Sequence, residues 1–177
     1  MADRAYARRL GSGQARRRIS SGNAKASIMR SAAVDYGKVR IGLAVSDELG
    51  LLAHARPYLN GTNPGQVVDG LTQLAKEESI EVFVVGLPRR LDGSEGTSAR
   101  RARSFAEKLQ QRSGKQVILL DERLTTKQAG SQLRAMGHSA RDQREIIDSV
   151  SAALLLQTYL DAHNAKRKAR GTPPLTW

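Results

Sequence analysis

The chain has 177 residues, 40% of them hydrophobic, enough for one domain with a sizeable core. It has no cysteine, which excludes a disulfide framework, a thiolate zinc site and a cysteine nucleophile, and no apolar run approaches the ~20 residues of a membrane span. The formal net charge is +12, with most of the excess at the ends: residues 1–28 carry seven basic side chains against one acid and residues 161–177 four against one, a distribution that suits a polyanion, although basic tails also serve solubility alone.

Residues 1–28 lack sustained apolar periodicity and are rich in Arg, Ser, Gly and Ala. They are expected to form a mostly disordered extension, with at most a frayed helix over Arg4–Leu10. An organellar transit peptide, a translation start at Met29 and a genuine basic arm are all open readings of this segment. The folded domain is expected over residues 29–163, with a basic tail at 164–177.

Within that domain, Ala32–Asp35 and Val39–Ser46 read as two strands joined by a tight turn carrying Gly37. Leu51–Arg56 is a third strand, bounded by Gly50 and Pro57. Asn63-Pro64 opens a helix with Val67, Leu71, Leu74 and Ala75 on one face. Glu81–Val85 is a fourth, apolar strand of the buried central kind. A loop from Gly86 to Gly96 leads to a helix from about Thr97, with Ala102, Phe105, Ala106 and Leu109 on one side. Val117–Leu120 is a fifth strand, ending on Asp121-Glu122. Thr125 or Thr126 caps a helix that reaches Met136 and stops at Gly137, and a last helix runs from about Asp142 to Ala162. Three strands followed by alternating strand and helix specify an α/β layered domain with a mixed sheet.

Three acidic positions stand out. A carboxylate on an apolar strand, as at Asp35, needs a cationic partner such as a metal ion, Lys or Arg. Asp121-Glu122 follow Val-Ile-Leu-Leu directly. Asp148 shares a helical stripe with Ala152, Leu155 and Tyr159, which is apolar enough to face the sheet. Singly, each has a structural explanation: a turn acceptor at Asp35, a strand end paired with Arg123 at Asp121 or Glu122, a helix-dipole contact at Asp148. Together they would repel one another, and a divalent cation with oxygen ligands removes that repulsion. The chemistry such a set supports is metal-assisted attack of water on a phosphodiester.

Val-Asp-Tyr-Gly-Lys-Val-Arg-Ile-Gly-Leu-Ala-Val-Ser-Asp (34–47), Val-Val-Gly-Leu-Pro (84–88), Leu-Asp-Gly-Ser (91–94), Asp-Glu-Arg-Leu-Thr-Thr (121–126) and Ile-Asp-Ser-Val-Ser-Ala (147–152) resemble the motifs of the YqgF family. Its members are described as pre-16S rRNA nucleases or Holliday-junction-resolvase-like proteins (RuvX). The resemblance spans about residues 31–162. It implies an RNase H-like fold, a five-stranded mixed sheet flanked by helices in a single domain. It also implies a catalytic, metal-binding carboxylate set, which carries over to Asp35, Glu122 and Asp148. Asp121 is the alternate to Glu122, which is preferred because Asp121 would face the other side of the strand. The end of the fourth strand, where related nucleases commonly hold an acid, reads Gly86-Leu87-Pro88 here, so the second carboxylate has to come from the adjacent strand. Mg²⁺, or Mn²⁺, is the expected cofactor.

Ligands of α/β folds bind beyond the carboxyl ends of parallel strands, where helix N-termini offer N–H groups to phosphate. Arg89, Arg90, Arg123 and Thr125 are candidate phosphate contacts on that ground, and Lys38 and Arg40 flank the Asp35 turn, with Arg40 alternatively an ordinary strand residue. Arg100, Arg101 and Arg103 read as a solvated face. His138 reads as a surface-loop residue. Aromatic residues are only 4% of the chain, so backbone and shape recognition is expected over base stacking.

The leading expectation is a metal-dependent endonuclease acting on structured RNA, in 5′-end processing of pre-16S rRNA, in the cytoplasm and without a membrane partner. A resolvase acting on branched DNA is the first alternative and requires a symmetric dimer; monomer and homodimer both remain open. A non-catalytic RNA- or ribosome-binding assembly factor is an alternative of another class. An actin-like phosphotransferase is disfavoured because 177 residues leave no room for a second lobe.

Overall fold

Small and β-branched apolar residues on both sides of Gly37 build an antiparallel pair, β1 (Ser31–Tyr36) and β2 (Arg40–Ser46), in which Asp35 lies opposite Gly42. The computed structural model describes residues 29–124 and 142–169, without the side chains of 124 and 142–149. The turn between the strands needs glycine, because a Cβ on Gly37 would collide with the carbonyl oxygen of Arg40. β3 (Ala53–Asn60) adds antiparallel to β2, and β4 (Val82–Leu87) and β5 (Gln116–Asp121) add parallel on the other side of β1, giving the order β3-β2-β1-β4-β5.

The expected third strand stops at Pro57, yet β3 runs through it. β3 is an edge strand, where a missing N–H is tolerated, and its pairing with β2 shifts register between Ile41 and Leu43, opposite Pro57 and Tyr58. The fourth strand likewise continues past Val85 to Leu87, and all six of its residues are buried.

Helices cover both faces. Asn63 caps α1 (Pro64–Glu77) by accepting the Gln66 N–H at 3.3 Å, and α1 lays Val67, Val68, Leu71 and Ala75 on the sheet beside Ala99, Ala102, Phe105, Ala106 and Leu109 of α2 (Thr97–Ser113). Tyr36 stacks on Phe105 there, with ring centroids 4.6 Å apart. On the opposite face α3 (Asp142–Ala169) packs Ala152, Leu155, Leu156 and Leu160 against Ala33, Ala44, Val82 and Val84. Gln157 ties α3 to the edge of β3 by accepting the Ala53 N–H and donating to the Leu51 carbonyl.

α3 extends to Ala169, six residues into the segment expected to be tail. The expected helix between Thr125 and Met136, residues 1–28, His138 and residues 170–177 lie outside the described residues. Among the described residues no helix is long and apolar enough to cross a membrane. The result is a single α/β domain with the five-stranded mixed sheet and flanking helices that the sequence implies.

Candidate active site

Strand alternation assigns the acids to faces. In β1, Ala32 and Val34 join the α1/α2 core, whereas Ala33 joins the α3 core, so Asp35 points to the α3 side. Its antiparallel partner Gly42 shares that side, and the parallel register that pairs Val34 with Val85 brings Gly86 alongside on the other flank. The half-buried Asp35 therefore has glycine next to it on both neighbouring strands, which leaves room beside its carboxylate.

Glu122 fills part of that room. Along β5, Val117 and Leu119 face the α1/α2 core while Ile118 and Leu120 face α3, and the two-residue period carries position 122 to the α3 side. After Asp121 the chain tightens into a 3₁₀ turn, Glu122–Leu124. The Glu122 side chain comes to rest over Gly86, where a Cβ would stand 2.5 Å from Oε1. Such a separation is impossible, so the absence of a side chain at position 86 is what seats this carboxylate. Burial pushes the Glu122 carboxyl up to about 7, with Asp35 and then Asp121 adding like-charge repulsion.

Asp121 has a different fate. Arg123 grips both its carboxylate oxygens, with Nε at 3.1 Å from each and Nη2 at 2.7 Å from Oδ2, and the Arg123 N–H donates to Oδ1 at 3.0 Å. These hydrogen bonds hold the Asp121 carboxyl below the ordinary aspartate range. The alternation argument for Glu122 over Asp121 thus agrees with where the two side chains lie.

Asp148 belongs to α3, one turn before the buried Ala152, but its side chain lies outside the described residues, as does Thr125. Among the described residues no three His, Cys, Asp or Glu side chains form a metal group; the described acids at the strand ends are Asp35 and Glu122, with Asp121 turned to Arg123. Two repelling carboxylates, both oxygen donors, suit a hard divalent cation.

The basic residues divide. Lys38 is exposed in the β1–β2 turn. Arg40 lies over the Tyr58 ring, 4.9 Å from its centroid, so it packs across strands. Arg89 pairs with Glu95 at 3.4 Å, and Glu95 is gripped more tightly by Arg103 at 2.6 Å, which makes Arg103 part of a brace rather than a free solvated charge. Arg90 is exposed beside Gly96. Arg123 is occupied by Asp121 and by the carbonyls of Arg90 and Leu91. The seat at Gly86 went unread in the sequence as a seat, although its departure from an expected acid was the available signal.

The family model described as "RuvX: Holliday junction resolvase" matches residues 29–162. A protein of Anaeromyxobacter dehalogenans named "Putative pre-16S rRNA nuclease" is 47% identical over 135 residues, covering 75% of this chain and 97% of that protein. A protein of the same name from Myxococcus xanthus is 42% identical over 135 residues, covering 76% and 89%. Among solved structures, T. thermophilus RuvC in complex with a Holliday junction substrate superposes with a TM-score of 0.50 over 77% of this chain and 96% of that one. At 16% identity that likeness speaks for the fold alone.

Proposed function

This chain belongs to the RuvX family of nucleases, and from that premise we propose that its phosphodiester hydrolysis is carried out at Asp35 and Glu122, with Asp148 as the third carboxylate, on the small-subunit ribosomal RNA precursor. The observation that carries the site is the seating of Glu122 over Gly86 next to Asp35: the chain places two acids together at parallel strand ends and leaves one of them with its carboxyl raised to about 7. Asp35, Glu122 and Asp148 would hold Mg²⁺ or Mn²⁺, which when bound supplies neutralisation of the acids and Lewis-acid stabilisation of charge developing on the phosphodiester oxygens. Without that charge, the Glu122 carboxyl, raised to about 7, is still partly protonated near neutrality, so cation binding and proton release from Glu122 are linked.

The chain's own residues supply the rest. Gly42 keeps one flank of Asp35 clear, and Gly86 gives the other to the Glu122 carboxylate. The β4–β5 strand ends place Arg89 and Arg90 on the same rim, and Lys38 stands on the β1–β2 turn. The +12 net charge draws the polyanion toward a site that is itself acidic. Structured RNA is favoured because two relatives covering most of this chain carry that substrate in their names, and the reading places the protein in the cytoplasm. Branched DNA is the second reading, favoured by the description of the matching family model, and it requires a dimer for paired incisions.

The test compares the wild-type chain with Asp35→Asn and Glu122→Gln on precursor small-subunit rRNA and on a four-way DNA junction, with and without Mg²⁺. Cleavage of the RNA that needs Mg²⁺ and is lost in both variants supports the reading. Cleavage that survives Asp35→Asn removes Asp35 from the mechanism, and paired cuts in the junction alone shift the substrate to DNA.

A further inference from the structure

Between β4 and α2 the chain makes a small hairpin, residues 88–96, closed by the bridge between Arg89 and Glu95. Its tip turns on the Arg90 N–H bonded to the Ser94 carbonyl at 3.0 Å and on Asp92 accepting the Ser94 N–H at 2.8 Å. Its tip has no apolar anchor, since Leu91 is 97% exposed, although Pro88 at its base is half-buried. Its position therefore rests on polar braces, of which there are two. Glu95 is held by Arg89 and Arg103 at the base. Arg123 reaches across from the β5 end and donates Nη1 to the carbonyls of Arg90 and Leu91 at 3.5 and 3.4 Å while its other nitrogens hold Asp121.

That leaves Arg123 little to offer a phosphate. A guanidinium has five N–H donors in a fixed fork; here the Nε–H and one Nη2–H hold Asp121 and Nη1 faces the two carbonyls, which leaves a single Nη2–H outside these bonds. Arg90, by contrast, is exposed and forms no ion pair among the described residues. Building on the nuclease reading above, we propose that Arg123 is a positioning residue: it fixes the hairpin, and with it Arg90, at the strand ends where nucleic acid binds, and takes no phosphate itself. The Asp121–Arg123 fork is the fixed end of this strut, because its charge-assisted bidentate geometry holds the guanidinium plane toward the hairpin carbonyls. As the pair is still partly open to solvent, it contributes little to global stability.

A double-mutant cycle on the full-length chain tests this, with a precursor rRNA fragment as probe. Binding is measured at several salt concentrations in an Asp35→Asn background, so that the result does not depend on turnover, and KM and kcat are measured in the otherwise wild-type chain. Arg90→Ala lowers the slope of log affinity against log salt by about one, as expected for one lost phosphate contact. Arg123→Ala weakens binding about as much, on the order of tenfold, because Arg90 is no longer placed; the double variant is no weaker than Arg90→Ala alone. The cost falls on KM with kcat held within about threefold, and the melting temperature barely moves. A slope lowered by about two in the double variant, with multiplied losses, overturns the proposal in favour of a direct phosphate contact by Arg123. Asp121→Asn keeps Arg123 in place but weakens the fork, and raises KM in the same direction by less; an unchanged KM there also overturns the strut. Loss of cleavage in Asp35→Asn tests the site and is independent of either outcome.

Discussion

Glu122 and Gly86 make one device from two strands. The carboxylate from the end of β5 occupies the space that any side chain at position 86 would take, since a Cβ there would stand 2.5 Å from Oε1. In this way an acid reaches the flank of Asp35 although β4, the strand next to it, carries none at that level.

Gly86→Ala therefore displaces Glu122 while adding a single methyl group. Cleavage is expected to fall by at least about a hundredfold, as small displacements of reacting groups commonly cost that much. The fold survives, because Glu122 lies at the half-buried rim and can swing outward. Activity assays beside circular dichroism check this; full activity in Gly86→Ala would show that the seat does not matter.

Glu122 also gives stability a pH dependence. Its carboxyl is raised from 4.5 to about 7 in the folded chain, so below about pH 4.5 both folded and unfolded states are protonated and nothing is lost. Between about 4.5 and 7 the unfolded chain releases its proton first, and folded stability falls as pH rises; above about 7 the full penalty stands. Because Glu122 is only partly buried, that penalty is discounted to roughly 1–2 kcal/mol. In a chelator, Glu122→Gln should melt a few degrees above wild type at pH 8 and level with it at pH 4.5. Equal melting temperatures at pH 8 would sink the account.

Asp35 supplies part of the repulsion felt by Glu122, and a cation would relieve it. Mg²⁺ or Mn²⁺ at about a hundred times its dissociation constant should stabilise the wild-type chain by about 2.7 kcal/mol, seen as a rise in melting temperature. Asp35→Asn should abolish most of that rise and bring the Glu122 carboxyl down toward the ordinary glutamate range, which carboxyl NMR titration reads directly. A cation-induced rise that persists in Asp35→Asn would place the ion elsewhere.

The attachment of α3 to the sheet is the fourth point of test. Leu156 is fully buried among Ala33, Ala44, Val82 and Val84. Leu156→Ala should cost about 2–5 kcal/mol, and cleavage should decline more than melting alone explains, because α3 carries Asp148. Urea unfolding beside activity at a temperature where the variant remains folded separates the two effects.

Period and spacing made the sheet legible in advance. The continuous apolar run before Gly86 belongs to a strand buried on both faces, and the Asn63-Pro64 start of α1 follows from capping chemistry that is complete within four residues. The extent of β3 was not legible: Pro57 ends most strands, and only its place at the sheet edge beside a register shift allows the strand to continue. The length of α3 escaped for a related reason, since its polar last turns follow on from a helix that the sheet already holds in place.

By itself the sequence determined the fold class and the family motifs and singled out the candidate acids, because hydrophobic periodicity and a carboxylate on an apolar strand are local properties. It also assigned Asp121 and Glu122 to opposite faces, since alternation along one strand is a local rule. Tertiary structure decided what the rest of the site meets. The Asp121–Arg123 and Glu95–Arg103 pairs are local, but that Glu122 rests on Gly86 and that Arg123 also reaches the hairpin carbonyls depend on contacts between segments far apart in the chain. The physical reason is that a guanidinium or carboxylate carries the same charge wherever it sits, while its role is set by which partners the packed sheet and helices bring within hydrogen-bonding distance.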